Sequence, residues 1–182
     1  MPLEFTTSYL KDSIELLLYY KGLAERAMAQ VPDEALNRAP DAESNSIAII
    51  VKHLAGNMRS RFTDFLSSDG EKPDRNRDGE FEAPPKTRAE LMALWEAGWQ
   101  RVFSALAPLR EENLADRVLI RSEAHSVMQA INRQLAHYAY HIGQIVYVAK
   151  HFAGANWSAL TIPRGKSEEF ARRVASGKVS QR

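Results

Sequence analysis

The sequence contains no cysteine, which excludes disulfides, thiolate metal ligands and a cysteine nucleophile. Any transition-metal site must therefore be made from His, Asp or Glu. Net charge is almost absent. With Lys+Arg 24 against Asp+Glu 23, the formal charge of +1 leaves no electrostatic footprint for general nucleic-acid binding, so DNA and RNA are poor partners. Nor does any apolar run approach the roughly 18 residues that span a bilayer. The opening M-P-L-E-F-T-T-S-Y-L-K-D puts Glu4, Lys11 and Asp12 where a signal peptide needs a basic start and an unbroken apolar core. These absences predict a soluble cytoplasmic protein with no membrane association, and the missing cysteines are compatible with a reducing compartment.

What is present is helical periodicity. A length of 182 residues with 45% hydrophobic content suits a single domain over 1–182 with a sizeable core. A first helix is expected over about 6–30, with Leu10, Ile14, Leu17, Leu18, Ala24 and Met28 as its apolar stripe. Val31-Pro32-Asp33 ends it. A second, over about 44–66, opens on the cap-forming Ser44-Asn45-Ser46 and carries Ile47, Ile50, Leu54, Met58, Phe62 and Phe65. The third, over about 87–107, starts with Thr87 as N-cap and Glu90 as its capping-box partner, ahead of Leu91, Leu94, Trp95, Trp99, Val102, Phe103 and Leu106. The fourth and longest runs over about 124–152, with Val127, Ile131, Tyr138, Ile142, Ile145, Val148 and Phe152 inward, and Gly154 just past its end. A tail over 153–182 holds the extended Ile162-Pro163 and room for one short helix after Ser167.

Between the second and third helices, Ser67 to Pro85 is polar, charged and too long for a tight turn. As a crossover it lets the third helix start back at the other end of the molecule. The expected fold is therefore an all-α four-helix bundle in an up-down-down-up order. The charges of this loop, Lys72, Arg75, Arg77 and the acids among them, read as a solvated face, with a lid over a pocket as the alternative. The run D-R-V-L-I-R from Asp116 to Arg121 has strand character but is too brief to build a sheet.

The chemistry-bearing stretch is Q-L-A-H-Y-A-Y-H-I-G-Q-I-V-Y-V, from Gln134 to Val148. His137 and His141, four residues apart on a helix, lie about 40° apart around the axis and about 6 Å along it, so both rings can reach one ion. Such a pair also arises by chance, and the Glu of H-E-x-x-H is missing. His53, one turn after Ile50 on the second helix, is the available third ligand. Read alone it is equally a core histidine satisfied by a neighbour. If the second and fourth helices run antiparallel, His53 and His141 stand at levels differing by only about 3 Å. Three imidazoles on one ion would leave positions open for reaction, unlike a closed structural site. His125 is about 18 Å along the helix from His137 and cannot share its ion; it reads as a polar residue of the first turn. His151 suits the favourable end of the helix dipole.

Asn57, one turn after His53, and Gln144, three residues after His141, are candidate supports for the ligands or contacts for a substrate. As polar residues paired at the bundle edge they have the commoner role. Tyr140 and Tyr147 read as packing aromatics. Gly165-Lys166-Ser167 looks like the end of a phosphate-binding loop, but Leu160 stands where its first glycine belongs, which rejects nucleotide binding.

His53 together with H-Y-A-Y-H-I-G-Q-I resembles the DinB/YfiT-like superfamily of four-helix-bundle metalloproteins. The segment K-H-L-A-G-N-M-R-S-R-F-T-D-F-L-S-S-D-G-E-K-P-D-R-N-R-D-G-E-F and the tail L-T-I-P-R-G-K-S-E-E-F resemble a subgroup catalogued as a bacterial domain of unknown function. The resemblance spans essentially the whole chain. It implies a right-handed up-down-down-up bundle, frequent homodimers, and a divalent ion such as nickel, zinc, manganese or iron on three histidines, here His53, His137 and His141. Some relatives are thiol S-transferases that use bacillithiol or mycothiol. The resemblance thus implies thiol transfer or hydrolysis on a small molecule, with a low-molecular-weight thiol as cosubstrate because the chain has no cysteine. The competing reading is a non-enzymatic bundle, either a metal-binding stress protein or a dimeric interaction module.

Overall fold

The computed structural model describes residues 5–180. Met1–Glu4, part of the N-terminal reading, and Gln181 and Arg182 of the tail lie outside the described residues. The described chain is mostly helical, with one small two-stranded sheet. Its long helices are α1 (Tyr9–Met28), α2 (Ile47–Phe62), α3 (Arg88–Leu106) and α4 (Val127–Ala153), and a shorter, largely exposed α5 (Ser167–Ala175) follows in the tail.

Side-chain caps set the helix starts. Ser8 accepts from the Lys11 amide, and of the three expected cap residues before α2 it is Ser46 that accepts, from the Ile49 amide, so α2 begins three residues later than predicted. The Thr87–Glu90 capping box forms reciprocally as expected. Gly154, at φ 53°, takes the left-handed backbone that ends α4.

The sheet corrects two expectations. Arg117–Ile120 (β1), within the run expected to be too brief for a sheet, pairs antiparallel with Glu123–Ser126 (β2). The fourth helix consequently starts at Val127 rather than near 124, capped by a Ser126–Gln129 box, and His125 lies on a strand rather than in a first helical turn. The turn residues Arg121 and Ser122 have φ of 57° and 64°, the conformation that usually calls for Asn-Gly. Asp69 makes it tolerable here. Its carboxylate accepts from both turn amides, at 2.8 Å from Arg121 and 2.6 Å from Ser122.

Trp95, Trp99, Tyr138, Leu17, Leu54, Met58 and Ile131 are fully buried at the centre. Each such apolar side chain contributes on the order of 1.5–3 kcal/mol of burial free energy. The predicted stripes hold except at Leu18, which is 51% exposed, and Leu94, which is half-buried outside the core; Ile14, Phe65 (beyond the end of α2), Phe103 and Phe152 are partly buried against it. Near the starts of α1 and α4, Tyr9 donates to Asn132 Oδ1 at 2.7 Å; past their ends, Gln30 accepts from the Ser158 amide at 2.7 Å. The start of α3 meets the end of α1, where Arg88 donates to Met28 O at 3.0 Å. Against α2, α3 approaches closely at Gly98, where a Cβ would stand 3.2 Å from Ala55 Cα.

The segment between α2 and α3 is a solvated charged face only in part: Asp74, Arg77 and Asp78 are exposed, but Arg75 and Glu80 are not. It folds back onto α2, with Lys52 Nζ donating to the carbonyls of Gly79 at 2.7 Å and Glu82 at 2.5 Å. The Arg75 side chain is only 3% exposed and Glu80 is buried. Opposite charges spaced a few residues apart neutralise one another here, which permits burial that neither sign alone would tolerate.

Candidate metal centre

Helix periodicity places His137 and His141 on the face of α4 that meets α2, and His53 on the opposing face of α2. His53 Nε2 stands 3.3 Å from His137 Nε2. The ring of His141 has its centroid 4.8 Å from that of His53 and 4.7 Å from that of His137. One nitrogen from each of the three lies within 4.8 Å of the others, and the group can hold a metal ion. His53 is buried; the other two are partly so.

Outside this triangle, the rings are held by their second nitrogens. His53 Nδ1 lies 2.9 Å from Glu80 Oε2, and because an ionised carboxylate can only accept, the proton belongs on Nδ1 and the Nε2 lone pair faces inward. His141 Nδ1 lies 2.7 Å from Gln144 Oε1, which imposes the same tautomer. His137 Nδ1 is buried with no partner. Two of the three rings are thus oriented as ligating imidazoles commonly are.

Electrostatics favour the neutral, ligating form. Burial, followed by the neighbouring His141 and His53, pushes His137 down to about 3. Burial also lowers His141, against an opposing contribution from its bond to Gln144. Although burial raises the Glu80 carboxyl, the hydrogen bonds from His53 and Arg75 outweigh it and hold the group below its ordinary value.

Each expected residue can be placed. Gln144 supports His141, whereas Asn57 is buried and accepts from the Tyr138 hydroxyl at 3.2 Å while also lining the cavity beside the histidines. His125 and His151 stand apart from the cluster: the first has its Nδ1 3.0 Å from Glu123 O, and the second is exposed at the end of α4. Tyr140 and Tyr147 are 64% and 72% exposed and so are not packing residues.

Sequence reasoning missed Glu80, the partner of His53. It lies in an irregular segment 27 residues away, where no periodicity points at a helix face. Its neighbours do carry a trace of it. A Cβ at Gly56, one turn from His53, would stand 2.7 Å from Glu80 Cδ, so the glycine is the gap through which the loop reaches the site. Arg75 then grips Glu80 with two bonds of 2.8 and 2.9 Å, and Phe81 stacks on the His53 ring at 4.8 Å.

The all-nitrogen donor set fits a borderline divalent ion. Tetrahedral Zn–N bonds of about 2.0–2.1 Å put ligand nitrogens roughly 3.3 Å apart, and the His53–His137 separation of 3.3 Å matches. No curated protein and no solved structure gives a significant match to the chain. One family model does match, over residues 4–166, and its description is "Protein of unknown function (DUF1572)". With most of its length covered by that match, the chain belongs to the DUF1572 family.

Proposed function

We propose that the protein is a divalent-metal-dependent enzyme of the DinB/YfiT-like kind, a single four-helix-bundle domain that uses His53, His137 and His141 as ligands to transfer a thiol to, or hydrolyse, a small molecule. The observation that carries this reading is the convergence of three imidazoles whose outer nitrogens are anchored, at His53 by Glu80 and at His141 by Gln144. A closed structural site would call for a fourth protein ligand. Among the described residues, the group holds three.

An up-down-down-up order is supported by which ends meet. The starts of α1 and α4 are joined by Tyr9 and Asn132, the end of α1 meets the start of α3, and His53 and Asn57 of α2 face His141 and Tyr138 of α4 in reversed sequence order. The exposed Tyr140 and Tyr147 on α4 offer apolar surface that a homodimer could cover.

A bound divalent ion would supply Lewis-acid polarisation and would lower the pKa of a water or thiol reaching it. The chain's part is to turn the rings correctly and to keep His137 and His141 unprotonated. Glu80 fixes the His53 proton on Nδ1, Gln144 does so for His141, and burial keeps His137 unprotonated. Phe81 and the packed loop restrict water on the His53 side. With no cysteine in the chain, a sulfur nucleophile must arrive as a low-molecular-weight thiol of the reducing cytoplasm.

The test begins with metal analysis of protein purified without a nickel column. One equivalent of nickel, zinc, manganese or iron that is lost in His137→Ala supports the site, and no stoichiometric ion sinks it. The loaded protein is then screened with low-molecular-weight thiols and electrophiles. Turnover that disappears in His53→Ala supports an enzyme; tight metal binding with no turnover favours a non-enzymatic metal-binding or stress-response module.

A further inference from the structure

We propose that the cavity beside the three histidines binds a small oxyanion, the carboxylate or phosphate group of the substrate, through Arg61, Arg77 and Arg133. This deepens the preceding reading, on which it rests only for placing the anion next to the reacting centre. The cavity, of about 170 Å³, is lined by His53 of α2 and by Gln134 and His137 of α4, among others. That volume accommodates an anionic head group and little more, well below the roughly 300–1,000 Å³ of a typical drug-sized pocket.

Charge is the first argument. Five guanidinium groups border the cavity: Arg61, Arg75, Arg77, Arg121 and Arg133. Two carboxylates serve them. Glu71 takes Arg61 at 2.9 Å, Arg121 at 3.2 Å and Arg75 at 3.3 Å, while Glu80 takes Arg75 at 2.8 Å. Five guanidinium groups thus share two ion-pairing carboxylates, and even with the Asp69 carboxylate near Arg61 the rim is net positive, in a chain whose whole formal charge is +1. Among the described residues no carboxylate pairs with Arg77 or Arg133.

Orphaned polar atoms in the cavity wall are the second argument. Arg61 is 5% exposed; its Nη1 is used by Gly70 O and Glu71, but its Nε has no partner. Gln134 is 4% exposed and its Oε1 is likewise unpartnered. Buried polar atoms are seldom left in this state without a ligand or water to satisfy them. A guanidinium donor suits an oxyanion, because planar N–H groups match carboxylate and phosphate oxygens. Gln134 adds a requirement of its own. An acceptor among donors is satisfied by a hydroxyl next to the anion, which a hydrogen phosphate or a 2-hydroxy carboxylate carries.

The sources are separated by calorimetry on the full chain, titrating inorganic phosphate in one arm and glycolate in the other. Each is run on chelator-stripped and on nickel-loaded protein, with Arg77→Gln and Arg133→Gln as variants at exposed positions that leave the core intact. Binding of either anion to the stripped protein, at least ten-fold weaker in Arg133→Gln and diminished by added salt, supports the site and names its preferred source. Failure of both anions to bind either form overturns it, as does binding that is equal in wild type and both variants. Nickel binding with no anion binding defeats this inference alone; anion binding with no nickel binding defeats the metal reading alone.

Discussion

Glu80 reaches His53 Nδ1 at 2.9 Å from a loop whose own hold on the molecule is a chain of ion pairs. From the β-hairpin inward, Arg121 pairs with Glu71, Glu71 with Arg75, and Arg75 with Glu80, so the tautomer of one imidazole is set by contacts that begin on a strand turn. Asp69 closes the same turn. The loop is therefore part of the site and not its cover.

Glu80→Gln tests this relationship while preserving shape. The amide still accepts from His53, but the negative charge that offsets Arg75 is gone. Loss of such a partner typically costs about 10–100-fold in metal affinity. Competition against a chelator of known strength should show that loss for nickel or zinc. Unchanged affinity in a folded variant would mean that Glu80 only anchors the loop.

Gly98→Ala probes the α2–α3 contact. The new methyl would meet Met58 Sδ at 2.9 Å and Ala55 Cα at 3.2 Å, and the second of these is backbone that cannot swing away. Overpacking of this kind costs about 1–3 kcal/mol, against which the gain in helix propensity of roughly 1 kcal/mol is smaller. Urea denaturation should give a lower midpoint at unchanged slope. A stabilised variant would show that the two helices part readily.

Trp99→Ala removes a ring that is fully buried and packs on Phe103 and Tyr138, each with its centroid 5.5 Å away. The expected loss is about 3–5 kcal/mol. Because Tyr138 in turn donates to Asn57 in the cavity wall, the variant should also weaken metal binding while Thr87→Ala, a cap loss of about 1 kcal/mol, should not. Parallel melts and metal titrations separate the two effects.

Much of the frame was legible from local pattern. The four apolar stripes and the cap residues Thr87 and Gly154 are encoded within a few residues of where they act, and His53, His137 and His141 lie on helix faces that periodicity identifies. What escaped was long-range. Asp69 stabilises a turn 52 residues away, and it allows Arg121 and Ser122, poor turn residues by propensity, to close a hairpin. Arg75 and Glu80 look like solvent-facing charges until they are paired with each other and roofed onto α2 beside Gly56. Leu18, Tyr140 and Tyr147 are apolar or aromatic but lie on the exposed sides of their helices.

The histidines also predict a pH dependence for the stability of metal-free protein. His137 has an ordinary value of 6.5 and is held near 3 in the fold, chiefly by burial and then by His141 and His53. Between those values the unfolded chain binds a proton at this residue and the folded chain does not. Stability therefore rises with pH across the interval: the contribution is fully present above 6.5 and drains away as pH falls towards 3. His141 is lowered in the same direction and adds to the slope. Carboxylates titrate at the acid end, so the informative window is about 5–6.5. Urea denaturation of chelator-stripped protein should lose stability steadily from pH 6.5 to 5, and His137→Leu, which removes the titrating ring and its unpartnered Nδ1, should flatten that loss. Equal slopes in the two proteins would place the proton uptake elsewhere.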